Sequence, residues 1–254
     1  MKAIAVIPVR MGSSRFPGKP LEKLLGMPMV EHCFNRAKLS NCFEEVFIAT
    51  CDSEISNLCK KINAKVIMTS SKHERATDRT SEAIRIIQKT SQLDFEVVVM
   101  IQGDEPLVSP VSLKRIVDEF DNNNEIVNLI SPFKDKESFA DYNNVKVVFD
   151  KNLNALYFSR EPIPSKWKGD ETVPMYNQVG VIAFKKKTLE NFLKLQETTL
   201  EKIESVDMNR LLEHGIKIKL VKNPNPTLGV DNKKELKLAE KLLFHDEFTK
   251  LYLQ

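Results

Sequence analysis

One stretch near the start of the chain concentrates groups that handle phosphate. From Pro8 to Leu21 it reads Pro-Val-Arg-Met-Gly-Ser-Ser-Arg-Phe-Pro-Gly-Lys-Pro-Leu. Arg10, Arg15 and Lys19 place three cations within ten residues, and hydrogen bonds from charged donors are the strong kind that a highly charged anion calls for. Gly12 and Gly18 permit backbone conformations that bring N–H groups close to an anion. Ser13 and Ser14 add hydroxyl donors. The pattern suits a nucleoside triphosphate, but it is not a Walker A loop, because Gly18-Lys19 is followed by Pro20 rather than Ser or Thr. A second stretch, Gln102-Gly103-Asp104-Glu105-Pro106, sets two acids on a glycine turn. A hard divalent cation carried on phosphates takes one or two carboxylates and keeps several waters. Asp104 is therefore the expected Mg²⁺ ligand, with Glu105 holding the turn.

Both stretches follow segments that read as buried strands. Lys2–Pro8 and Glu96–Gln102 are almost continuously apolar, as are Glu45–Thr50 and Lys65–Thr69. Amphipathic stretches separate them: helices are expected over Met29–Leu39, Glu54–Ile62 (capped by Asp52 or Ser53), Asp78–Lys89 and Pro110–Phe120. Apolar strands alternating with helices predict an α/β fold with a doubly wound, mostly parallel sheet. In such sheets ligands bind beyond the carboxyl ends of the strands, which is where both chemical stretches fall. After about residue 125 the pattern changes. Glu125–Pro132, Val145–Asp150, Ala155–Ser159 and Tyr176–Phe184 read as strands with short turns, then helices return at Lys186–Gln196 and Ser205–Glu213. Ile216–Val221 is a late strand and Lys233–Phe244 a terminal helix. No linker separates the halves, so residues 1–254 are read as a single domain. Residues 1–124 form its nucleotide-binding half. Residues 125–254 form the other half, whose β-rich middle segment is read as an antiparallel extension of the same sheet and an expected dimer contact.

The bulk numbers exclude several classes. The 254 residues carry 38 Lys+Arg against 35 Asp+Glu, with 42% apolar residues. There is no clustered basic excess of the kind nucleic-acid binders show. The longest strongly apolar run, Val97–Ile101, is too short to cross a bilayer, and the N-terminal apolar stretch is too short for a signal peptide. Cys33, Cys42, Cys51 and Cys59 form no metal-binding spacing and read as core thiols. A reducing cytoplasm is the expected location.

The loop pattern R-x-G-S-x-R-x-P-G-K-P-L resembles the signature of the nucleotidyltransferases that make CMP-activated sugars, and most closely the 3-deoxy-manno-octulosonate cytidylyltransferase (CMP-Kdo synthetase) family. The resemblance extends in order through Ala-Thr-Cys-Asp at 49–52, His-Glu-Arg-Ala-Thr-Asp-Arg at 73–79, the 102–106 turn, Asn-Val-Lys-Val-Val at 144–148, Phe-Ser-Arg-Glu-Pro-Ile-Pro at 158–164 and Gly-Val-Asp at 229–231. It implies attack of a sugar hydroxyl on CTP with loss of pyrophosphate, Mg²⁺ as cofactor, and a homodimer. It also implies site residues. Arg10, Lys19 and Asp104 would carry catalysis. Arg10, Gly12, Ser13, Arg15, Lys19, Thr77, Arg79 and Gln102 would bind the nucleotide. Asp231 would supply the second metal carboxylate, unless it caps the helix that follows. Arg79 could instead form an ion pair at a helix start, and Asp78 an N-cap.

Arg160 matches the family arginine, whose guanidinium fork suits a sugar carboxylate. Elsewhere the sugar half departs from the pattern. The family's H-x-G-I-Y reads Gln178-Val179-Gly180-Val181-Ile182 here. Its Glu-Gln pair becomes Asp207-Met208, and its Ser-Gly before T-D-R becomes Arg75-Ala76. Gln178 and Asp207 are the expected sugar contacts with Arg160, in a remodelled pocket. Either Kdo is met through different groups, or the substrate is a related keto sugar acid such as an aminated Kdo or a nonulosonate. A nucleotide-binding homologue without catalysis is the reading from another class.

Overall fold

The computed structural model describes residues 1–12, 16–165 and 174–253. Four parallel strands form its centre: β1 (Ala3–Pro8), β4 (Glu45–Thr50), β5 (Lys65–Met68) and β6 (Val97–Ile101), with the short hairpin strands β2 (Lys23–Leu24) and β3 (Met27–Pro28) lying apart as a two-stranded sheet. β7 (Ile126–Pro132), β10 (Tyr176–Lys185) and β11 (Lys219–Lys222) extend the main sheet in the order β11-β7-β10-β6-β1-β4-β5. β10 alone runs antiparallel to its neighbours on this path. β8 (Lys146–Phe149) pairs with the first residues of β10, and β9 (Ala155–Ser159) pairs with β8. The expected doubly wound sheet with an antiparallel extension is the observed one.

The reason is written in alternation. Along β1, Ala3, Ala5 and Ile7 point into one core and Ile4 and Val6 into the other. β6 divides Val97, Val99 and Ile101 from Val98 and Met100 in the same way. A strand buried on both faces must be apolar throughout. The first core is closed by α1 (Met29–Leu39), α2 (Ser53–Lys61) and α4 (Pro110–Asp118), the second by α3 (Ala76–Thr90). Among the later helices α5 (Lys136–Ala140), α6 (Lys186–Phe192), α7 (Thr199–Glu204), α8 (Met208–Glu213) and α9 (Lys233–His245), α6 and α8 add to the second core. A third, smaller cluster joins Phe16, Leu24, Met29, Val230, Ala239 and Leu243. Cys33 and Cys59 are buried, and desolvation raises the pKa of both thiols, that of Cys59 to about 11.

Three expectations are corrected. The helix expected over Ser205–Glu213 begins only at Met208, and an unexpected helix, α7, precedes it and ends where Ser205 takes a left-handed conformation (φ 52°). α7 itself opens with a capping box formed by Thr198 and Glu201. The helix expected to run to Gln196 stops at Phe192, and that expected to reach Phe120 tightens into a 3₁₀ turn over Glu119–Asn122.

The ends of β1 and β6 approach closely at Gly103. A Cβ there would lie 2.0 Å from Val9 Cγ1 and 3.7 Å from Ile7 Cγ2. Both neighbours are buried β-branched side chains with little freedom to move. Gly103→Ala should therefore cost roughly 2–4 kcal/mol through overpacking, read as a fall in the urea midpoint with an unchanged slope. A midpoint equal to that of the parent chain would refute the fit.

Candidate active site

Two adjoining cavities lie beyond the carboxyl ends of β1 and β6, of about 390 and 260 Å³. Arg10, Lys19, Arg79 and Gly103 line the larger, and Arg160, Asn177, Gln178 and Ile182 the smaller. Arg75, Ala76, Gln102, Asp104, Ser205 and Asp231 border both, so the two are one cleft.

Its centre is an ammonium between two carboxylates. Gly18, in the left-handed region (φ 77°), turns the chain into a 3₁₀ turn that begins at Lys19. Lys19 Nζ lies 2.6 Å from Asp104 Oδ2 and 3.0 Å from Asp231 Oδ1. Burial pulls the lysine pKa down, but the two carboxylates outweigh it and hold the pKa above the ordinary value. Asp231 reaches this point because Val230 is buried in the third cluster beside Phe16, and because the Val230 N–H donates to Asp104 O at 2.9 Å. Capping of α9 falls to Asn232, whose side chain accepts from the Glu235 N–H. The Asp231 carboxylate is turned to Lys19 instead.

The residues fit a magnesium ion. Two carboxylates already converge on one cation, with Lys19 standing in for it. Among the described residues no group of three or more His, Cys, Asp or Glu side chains gathers into a cage. A pair of carboxylates that leaves room for water and phosphate oxygens is the donor set magnesium prefers.

Glu105 is held differently from Asp104. Its Oε1 accepts the Gly180 N–H at 2.8 Å, while Oε2 is buried with no hydrogen-bond partner among the described residues. Burial, then the charges of Asp104 and Asp231, push its pKa up to about 8. Burial thus favours its neutral form well above the ordinary carboxylate range, and the side chain braces β10 against the turn.

The larger cavity brings together part of the set expected for the nucleotide. Arg10 Nη1 is 3.5 Å from His73 O at the rim of the larger cavity. Ser13 and Arg15 lie outside the described residues. Gly12 is exposed, lies outside the left-handed region, and a Cβ there would meet nothing within 4 Å, so no steric need for glycine exists at that position. Arg79 is buried with its guanidinium on Thr69 Oγ1, Ser70 O and His73 O; it clamps the 69–73 loop rather than forming the alternative ion pair. Gln102 lies over Gly180, where a Cβ would come within 2.9 Å of Gln102 Cδ. Thr77 donates its hydroxyl to Asp207, and Asp78 is not the N-cap of α3, a position Arg75 takes.

At the smaller cavity, Arg160 Nε donates to Glu204 O (2.7 Å) and Nη1 to Tyr142 O (2.9 Å). Lys146, buried, donates to Asp141 O, Asn144 O and Arg160 O, tying the 141–144 turn to the end of β9. Glu204 accepts from Tyr157, Ser159 and the Arg160 N–H. Neither Lys146 nor Glu204 was singled out for a role by sequence reasoning. Lys146 sat inside a matched segment, while Glu204 carried no signal. Gln178 Nε2 donates to buried Asn128 Oδ1 (2.7 Å), and Asp207 accepts from Arg75 (2.5 Å) as well as Thr77. Both line the smaller cavity as expected, with part of their bonding spent on the protein.

Residues 4–218 match a family model described as cytidylyltransferase. A 3-deoxy-manno-octulosonate cytidylyltransferase of Thermodesulfovibrio yellowstonii is 42% identical over 96% of this chain and 98% of its own length. An 8-amino-3,8-dideoxy-manno-octulosonate cytidylyltransferase of Shewanella pealeana is 37% identical over 97% of this chain and 100% of its own. A solved CMP:2-keto-3-deoxy-manno-octonic acid synthetase complexed with CTP superposes with a TM-score of 0.86 at 33% identity, over 96% of this chain and 99% of that one.

The state of Glu105 has a pH consequence. At low pH its carboxyl is protonated in folded and unfolded chains alike. As pH rises from the ordinary 4.5 toward about 8, the unfolded chain releases the proton while the folded chain keeps it, so stability falls through that window. Glu105→Gln keeps the acceptor for Gly180 and removes the titration. The variant should match the parent near pH 4 and exceed it by at least about 1 kcal/mol at pH 8, measured by urea unfolding at both. Parallel pH profiles for the two proteins would rule the neutral acid out.

Proposed function

The chain belongs to the cytidylyltransferase family, and we propose that it joins CTP to 3-deoxy-manno-octulosonate (Kdo), giving CMP-Kdo and pyrophosphate for bacterial surface polysaccharide. The observation that carries this reading is the Lys19–Asp104–Asp231 cluster at the border of two cavities, one lined by cations and the other by Arg160. It also argues against a homologue without catalysis, since the three charges converge where the two cavities meet.

The triphosphate belongs in the larger cavity, where Arg10 and Lys19 neutralise its oxygens, and the sugar acid in the smaller one, its carboxylate on Arg160. The sugar's anomeric hydroxyl then meets the α-phosphorus near Asp104 and displaces pyrophosphate in line. Such transfers ask the protein mainly for positioning and charge stabilisation. Asp104 and Asp231 would hold magnesium, which when bound neutralises triphosphate charge and polarises the α-phosphoryl group. Arg79 lines the wall of the larger cavity and is held there by the 69–73 loop behind it. Gln102, at the seam of both cavities, is placed to meet either substrate.

A second reading is the aminated sugar, 8-amino-3,8-dideoxy-manno-octulosonate. It is supported by the Shewanella relatives and by the altered wall at Gln178, Ile182 and Met208. We further propose a homodimer, on the strength of the exposed apolar side chains Leu238, Leu242 and Phe244 on α9 and Tyr142 and Leu156 in the β-rich half. A cytoplasmic setting accords with four unpaired cysteines, and no described helix is long and apolar enough to cross a membrane.

Pyrophosphate release with CTP, Mg²⁺ and each sugar acid separates the readings. Kdo should give the highest kcat/KM; a preference for the amino sugar would move the assignment to the second reading, and inactivity on every acid would overturn both. Asp104→Asn should lower turnover about 10²- to 10⁴-fold with an unchanged circular dichroism spectrum. Turnover within a few-fold of the parent would remove Asp104 from the reaction.

A further inference from the structure

Asp52 stands at the first turn after β4, on the N-cap position of α2, where an aspartate ordinarily accepts a hydrogen bond from the helix's first amides. Here it does not. Its side chain makes no cap hydrogen bond, and Oδ2 instead accepts the Met11 N–H at 2.8 Å, across 41 residues of sequence. Met11 is the joint of the cationic loop. Its carbonyl accepts the Gly18 N–H at 3.0 Å, so that one residue ties the outgoing chain to the turn from which Lys19 departs. The carboxylate is itself fixed. The buried Thr50 hydroxyl accepts the Asp52 N–H at 3.1 Å and lies 3.5 Å from Oδ2, with Cys51 Sγ at 3.6 Å. Upstream, the Val9 N–H donates to Ala49 O at 2.9 Å, so β1 and β4 stay paired up to the point where the two loops part.

We propose that Asp52 is a positioning residue for the reaction: its carboxylate leaves the helix it could cap in order to set the register of the loop that presents Lys19 to the triphosphate. It touches neither cavity and acts through the Met11–Gly18 joint. The inference rests on the reading of that loop as a triphosphate site. Met11 offers its N–H to a carboxylate and its C=O to Gly18, so both backbone groups at the joint are satisfied. Losing the first leaves the second to hold the turn alone.

Three substitutions separate loop positioning from helix capping. Asn retains an oxygen at the same reach. Ser is an excellent N-cap but too short to reach Met11. Ala can do neither. Asp52→Ser should raise the melting temperature slightly, because it supplies the missing cap, yet lower kcat/KM for CTP about 10- to 100-fold. Asp52→Ala should show the same kinetic loss without the thermal gain, and Asp52→Asn should stay within about threefold of the parent. Amide exchange of the peptide from Arg10 to Leu24 in the ligand-free protein should speed up in the Ser and Ala variants but not in Asn. A Ser variant with parental kcat/KM and exchange would reduce Asp52 to a structural residue, and an Asn variant as impaired as Ala would show that the accepted hydrogen bond is not the device. If the parent chain proved inert on every sugar acid, the functional reading would fail. CTP affinity by calorimetry, together with the exchange measurement, would still decide the role of Asp52.

Discussion

Everything at the centre of the molecule depends on one ammonium group keeping two aspartates apart. Asp104 and Asp231 face each other at the floor of the cleft, 127 positions apart in the chain, and two carboxylates sharing such a site repel. Lys19 compensates both, at 2.6 and 3.0 Å. Burial, with the same repulsion added to it, explains the state of the third acid. Glu105, buried next to Asp104, cannot ionise cheaply beside two negative charges, and its pKa rises to about 8. The fold thus presents two anions and one cation at the surface of the cleft and keeps a neutral acid behind them. Phosphate oxygens and a divalent cation can replace the internal pairing one for one, without exposing an unpaired buried charge.

Hydrophobic packing delivers these charges more than the charges themselves do. Phe16 precedes Lys19 by three residues and Val230 precedes Asp231 by one, and both side chains are buried in the same small cluster with Leu24, Met29, Ala239 and Leu243. Fully burying a side chain the size of Val, Leu, Met or Phe contributes about 1.5–3 kcal/mol. The Lys19 pairs are largely withdrawn from solvent, and the desolvation of their charges offsets much of the attraction between them. The cluster therefore fixes where the Lys19 and Asp231 backbones meet, and the ion pair selects the rotamers. The terminal helix α9 is a part of the active site in this sense, though none of its residues was read as chemical.

Sequence reading succeeded where a single local rule decides. Strands buried on both faces must be apolar throughout, so β1, β4 and β6 were legible to within a residue or two, and the edge strand β5 was legible from its short apolar run. Gly103 needs no side chain because Val9 occupies the space, and Gly18 needs its left-handed φ. It fell short where long-range partners decide. Asp52 reads as a helix cap, and only the fold reveals Met11 within reach of its carboxylate. Arg79 reads as a ligand contact, but three acceptors from the 69–73 loop surround it. Gly12 reads as a required glycine, yet neither its φ nor its surroundings demand one. The break between α7 and α8 turns on one left-handed serine, Ser205, a conformation that its residue type does not announce.

The two halves of the cleft differ in how their side chains are held, and that difference bears on how the substrate can vary. Arg160 is built in from several sides: Glu204 takes its backbone N–H and its Nε, the 142–143 carbonyls take Nη1, and buried Lys146 braces the turn that offers them. Desolvation lowers the pKa of Lys146, the cost of placing a cation among carbonyls and not against a carboxylate. Such an investment makes sense for a guanidinium that must stay oriented whatever else the pocket holds, because orientation settled by the fold need not be acquired on binding. Of the residues that depart from the family pattern, Gln178, Ile182 and Met208 line the same cavity from β10 and α8, and among the described residues none of their side chains hydrogen-bonds to Arg160, Glu204 or Lys146. Substitution there can reshape that wall while Arg160 and the Lys19–Asp104–Asp231 cluster stay in place. A family in which one member takes a hydroxyl and another an amine on the same sugar acid is what such a division of labour permits.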